Sequence, residues 1–158
     1  MSEEIEAIKY LMTNIEIHRR LLKQLCKNKE TKDNIYVYIK YQMREYARFN
    51  ISLRRMLESR TKRTNGTKSA MLDIASSITN RKSKMEKIDD YIEFFKESAK
   101  VNIMDLKRIR ENYKIKSKNV QKLIDRLEEF EEKNLNNVLV FINNKWNTKN
   151  SNFLIFYV

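Results

Sequence analysis

Proline is absent from this chain, and glycine, cysteine and histidine occur once each, as Gly66, Cys26 and His18. Without the two strongest breakers of regular structure, long uninterrupted helices form at little cost. An all-β fold needs turn residues every dozen positions or so, and they are missing. A lone cysteine excludes an internal disulfide and suits a reducing compartment. One histidine and one cysteine cannot build the usual zinc sites within a single chain. One glycine cannot build a phosphate-cradling loop. No stretch approaches the roughly 20 apolar residues of a membrane span. The acidic start MSEEIEAIKY lacks the apolar core of a signal peptide, so the expected location is intracellular, in the cytoplasm.

What the chain does have is charge, and the charge is uneven. Its 158 residues carry a formal net charge of +12. Residues 1–30 contribute +1, residues 31–88 contribute +9, residues 89–134 are neutral and residues 135–158 add +2. Lys, Asn and Ile share AT-rich codons, and a drift in composition would spread basic residues evenly. Here three quarters of the excess falls in one third of the chain.

Apolar spacing and capping residues place an all-α fold, a helical bundle of four long helices plus one shorter connecting helix. Ile8, Leu11, Ile15, His18, Leu22 and Leu25 form one face of a first helix over about 3–28. Ile35, Ile39, Gln42, Tyr46, Phe49, Leu53 and Met56 do so in a second, running from a cap at Asp33 to about Arg63. Thr64-Asn65-Gly66-Thr67 is the clearest break, since Asn and Gly accept the left-handed conformation that closes a helix. A shorter third helix uses Met71, Ile74, Ile78 and Met85. A fourth buries Ile92, Phe95, Ala99, Ile103, Leu106 and Ile109, and a fifth buries Val120, Leu123, Leu127, Phe130, Leu135 and Val138. The break between these two, near Ser117, is weak, and one continuous helix also fits. The bundle is a single domain over 1–145; residues 146–158 form an Asn-rich, then apolar, tail expected to dock on it. Glu128-Glu129-Phe130-Glu131-Glu132 reads as a solvated acidic face.

This layout of two long helices, a long connection and two more helices resembles the ferritin-like superfamily. The resemblance implies inward carboxylates on the first and third long helices and a Glu-x-x-His pair on the second and fourth, together holding two metals. Carried over by position, these are Glu16, Glu45 with Arg48, Glu97, and Glu129 with Glu132. Arg48 and Glu132 stand where the family has histidines. At ~100° per residue, Glu16 lies about 110° from the centre of its helix's apolar face, and Glu97 points nearly opposite to its own. No metal or other cofactor is therefore expected. His18 and Cys26 both fall on the apolar side of the first helix and read as core residues, and no catalytic set can be assembled.

The second helix carries the one functional signal. Tyr41, Arg44, Arg48, Arg55 and Lys62 fall in one stripe away from the apolar face, and Arg54, Arg60, Arg63 and Lys68 add charge near the Asn65-Gly66 turn. Between Arg44 and Lys68, Glu45 and Glu58 are the only acids. Such a surface attracts polyanions, arginine favours bidentate phosphate contacts, and Tyr41 offers a ring on which a base could stack. The expectation is a non-enzymatic binding or scaffold protein whose partner is nucleic acid or an acidic protein surface, in a homo-oligomer. The alternatives are a degenerate ferritin-like metal binder, or a structural coat or assembly component in which one copy's basic stripe meets the next copy's Glu128–Glu132 run.

Overall fold

The computed structural model describes residues 2–27, 33–60 and 88–143, and these residues form four helices with no strand among them. They are α1 (Glu3–Cys26), α2 (Asp33–Glu58), α3 (Ile88–Asn112) and α4 (Lys118–Asn143). The all-α class read from composition is therefore the class found. The shorter helix expected over residues 71–85 and the tail from 146 lie outside the described residues.

Each boundary has a local cause. Ser2 caps α1, its hydroxyl accepting from the Ile5 amide at 3.2 Å, and Glu3, Glu4 and Glu6 place negative charge against the exposed amides of the first turn. The weak break near Ser117 is a true corner. Residues 113–117 leave the helical path, and the Ser117 hydroxyl accepts from the Val120 amide to start α4. Acids at the start of α1 hold this corner: Glu3 accepts from the Lys114 amide at 3.2 Å and Glu4 from the Ser117 amide at 2.9 Å. The second Glu4 oxygen pairs with Arg60 at 3.4 Å, so one carboxylate ties α1 to the end of α2 and to the α3–α4 corner.

Cross-helix contacts fix the directions. His18 meets Tyr46 while Glu4 meets Arg60, so α1 and α2 are antiparallel. Arg110 reaches Asp125 and Glu128, so α3 and α4 are antiparallel. Tyr38 meets Phe95 while Tyr46 meets Asn102, so α2 and α3 run parallel.

The core is aromatic at its centre. Phe130 of α4 lies edge-on to Tyr46 at 5.3 Å between centroids and within 6.1 Å of Tyr41 and Phe49, all from α2. Ile8, Leu22, Leu25, Ile35, Ile39, Leu53, Tyr91 and Phe95 are fully buried around it. Burial of each such side chain contributes about 1.5–3 kcal/mol relative to exposure, and this apolar mass sets which helix faces turn inward.

Candidate functional site

Two features of the bundle are not explained by packing alone: the outer face of α2 and a polar pocket inside.

On α2, Lys40, Arg44, Arg48, Arg54 and Arg55 are exposed, and among described side chains of this helix only one acid, Glu58, is exposed with them. At ~100° per residue, Lys40, Arg44, Arg48, Ile51 and Arg55 fall in an arc of about 80°. At 1.5 Å per residue they extend over about 22 Å of the helix. Arg48 contacts Glu45 at 3.5 Å; Arg44, Arg54 and Arg55 make no ion pair among the described residues. The other helices differ. Exposed Lys118, Lys122, Arg126 and Lys133 on α4 are interspersed with Asp125, Glu129 and Glu132, and α1 and α3 are similarly mixed.

Sequence reasoning misplaced one member of this stripe, Tyr41, and counted as open surface charge a cation near the turn, Arg60, that is committed to the bundle. Tyr41 is 6% exposed, its ring among Tyr38 and Phe130. Because α2 packs on α4 as well as α1, its buried arc is wider than an amphipathic helix with one neighbour would show, and Tyr41 falls inside it. The aromatic ring on the basic face is Tyr36, 42% exposed, with the Lys40 ammonium 5.3 Å from its centroid. Arg60 is half-buried and committed to Glu4 and to the Met56 carbonyl, so it belongs to the bundle end rather than the stripe. Lys62, Arg63 and Lys68 lie outside the described residues.

The interior holds polar groups from every helix. Asn14 and His18 of α1, Tyr46 of α2, Asn102 and Asp105 of α3 and Glu131 of α4 line one cavity of about 30 Å³. The Tyr46 hydroxyl donates to Glu131 Oε1, the Asn102 amide donates to His18 Nδ1 at 3.1 Å and to Tyr46 Oη at 3.5 Å, and Asn14 donates to Asp105 at 3.5 Å. Beside it, the Tyr38 hydroxyl donates to Asn134 at 3.2 Å. Glu131 is 2% exposed, so the acidic run 128–132 is not one solvated face. Glu128 pairs with Arg110, Glu129 with Lys133, and Glu131 turns into the core.

Burial decides the protonation of these groups. It pushes the Glu131 carboxyl up to about 8, the Tyr46 hydroxyl bond only partly opposing it, and pushes His18 down to about 4. At neutral pH both are uncharged. His18 accepts at Nδ1, which leaves its proton on Nε2. Asp105 is also raised by burial, against the pull of Arg108 at 3.7 Å. On α1, Cys26 is half-buried and its thiol is likewise raised by burial.

The carboxylates carried over from the ferritin-like layout do not meet. Glu16 faces outward onto Arg19 and Arg20, Glu45 stays with Arg48, Glu97 is half-buried, and Glu129 and Glu132 are exposed. Among the described residues no three of His, Cys, Asp and Glu are grouped so as to hold a metal ion. No helix among them is long and apolar enough to cross a membrane. No family model, curated protein or solved structure matches the chain.

Proposed function

We propose that this protein is a non-enzymatic helical binding module whose α2 outer face engages nucleic acid. The observation that carries the reading is the one-sidedness of that face: five exposed cations against one exposed acid, on a bundle whose other helices present mixed charge. Four of the five are arginines, whose planar forks fit phosphate oxygens in pairs. Their recurrence along the helix suits a backbone of repeating phosphates, and Tyr36 and Ile51 supply apolar surface within the same face for bases. No named recognition motif is present, so the binding is read as general rather than sequence-specific.

The test is retention on a single-stranded nucleic-acid column of wild type against the triple variant Arg44→Glu, Arg48→Glu, Arg55→Glu. Wild type is expected to elute at clearly higher salt. Equal elution overturns the reading and leaves an acidic protein surface as the chemistry to pursue. A large assembly that persists in high salt without bound nucleic acid would instead favour a structural homo-oligomer.

A second reading rests on the parallel α2 and α3 joined by a long connection, the arrangement of ferritin-like bundles. It proposes shared ancestry with a metal-binding bundle whose ligand positions have changed. Stoichiometric iron or manganese in the purified protein would support it as a function.

A further inference from the structure

We propose that the polar pocket at the centre of the bundle is a built site for water, holding one or two molecules, and that this water joins α1, α3 and α4 beside the direct bond between Asn102 and His18. The helices themselves set up the need. α1 packs closely on α2, α3 on α4, and α2 on α4, and α1 and α3 are joined by hydrogen bonds from Asn102 to His18 and from Asn14 to Asp105. Two of the direct contacts around the pocket are long. Asn14 to Asp105 and Asn102 to Tyr46 are both 3.5 Å, at the outer limit of a hydrogen bond, where a bridging water is the usual complement.

The cavity is the right size and chemistry for such a guest. Its volume of about 30 Å³ exceeds what one water requires, a threshold of roughly 10–15 Å³, and a guest there needs two to four polar partners. Asp105, His18 and Glu131 supply them from three helices. Among the described residues His18 is bonded through Nδ1 alone, so its Nε2 proton is available to a guest. Asp105, 3% exposed, can accept further hydrogen bonds on its two oxygens. Asp105, Glu131 and His18 each hold a protein partner already, and water in the pocket gives each a further hydrogen bond. Leu11, Ile15, Leu106 and Leu127 complete the walls, so the polar partners of a guest are the side chains named above.

A crystal structure of the full chain at about 1.5 Å resolution tests this directly. The expected result is one or two density peaks in the pocket. Each should lie within about 2.6–3.2 Å of at least two of His18 Nε2, an Asp105 oxygen and a Glu131 oxygen. An empty pocket, or one closed by direct bonds shorter than those described, overturns the proposal. As an independent readout, Asn14→Leu fills the pocket from the α1 side. It is expected to remove the peak nearest Asp105 while a helical circular dichroism spectrum is retained. Persistence of that peak would also overturn the assignment.

Discussion

Replacing Glu131 by glutamine should change how stability depends on pH, by an amount set by the core environment. Its carboxyl is pushed up from 4.5 to about 8 by burial, which the bonds from Tyr46 and Asn102 only partly oppose. Between those two values the folded protein holds a proton that the unfolded chain has released. The stability this group contributes is complete below pH 4.5 and is lost as pH rises through 8, at about 1.4 kcal/mol per pH unit. His18 acts in the opposite sense. Lowered from 6.5 to about 4, it contributes stability that is complete above pH 6.5 and is lost as pH falls through 4. Together the two slopes cancel between 4.5 and 6.5, and from 6.5 to 8 the wild type loses about 2 kcal/mol. Glu131→Gln removes the Glu131 slope and keeps that of His18. Relative to wild type the variant should gain about 3 kcal/mol from pH 4.5 to 6.5 and about 2 kcal/mol more from 6.5 to 8. Asp105 and Glu45, also raised by burial, contribute equally to both proteins, so the difference curve isolates Glu131. Urea denaturation followed by circular dichroism across pH 4.5–8.5 measures it. Parallel curves for the two proteins would refute an uncharged, buried Glu131.

Other perturbations follow from the same packing. Tyr46→Phe leaves Glu131 without its hydroxyl donor and should cost about 1–3 kcal/mol in urea denaturation at pH 6. Phe130→Ala empties the centre of the aromatic cluster, and the same assay should show a loss of about 3–5 kcal/mol. Glu4→Ala frees both Arg60 and the Ser117 amide; a loss of about 1–3 kcal/mol is expected, with faster amide exchange at Ser117. In the triple arginine-to-glutamate variant of α2 the Arg48 partner of the buried Glu45 is lost, so its thermal midpoint should fall modestly. Arg55→Glu alone, at an exposed position without an ion pair among the described residues, should leave the midpoint close to wild type.

Much of the fold was readable because its helices obey one period. All six positions assigned to the first helix face are buried in α1, and Gln42 is buried beside Ile35, Ile39, Tyr46 and Leu53 as its register implied. Tyr41 was misread because a helical wheel does not say how many neighbours a helix will have; contact with α4 widened the buried arc to include it. The corner at Ser117 was faint because its signal is tertiary. The carboxylates that hold it come from the start of α1, more than a hundred residues away.

The polar pocket had a signal that apolar counting passes over. Glu131 and Asn134 follow Leu127 by four and seven residues, on the stripe that continues to Val138. Asn102 and Asp105 likewise stand between Ser98 and Ile109, and Asn14 between Leu11 and His18. Polar residues holding core register on all four helices mark an interior network, and the surrounding run of glutamates hid the most telling of them.

The central claim concerns the outer face of α2, and fluorescence anisotropy with a labelled single-stranded oligonucleotide over a series of salt concentrations tests it most directly. Four or five cations neutralising phosphates of a single strand give a slope of log affinity against log salt between about −2.8 and −3.5. Wild type should show that slope, and the Arg44, Arg48 and Arg55 triple variant should lose both affinity and most of the slope. Binding that is absent in wild type, or identical in the variant, would contradict the account.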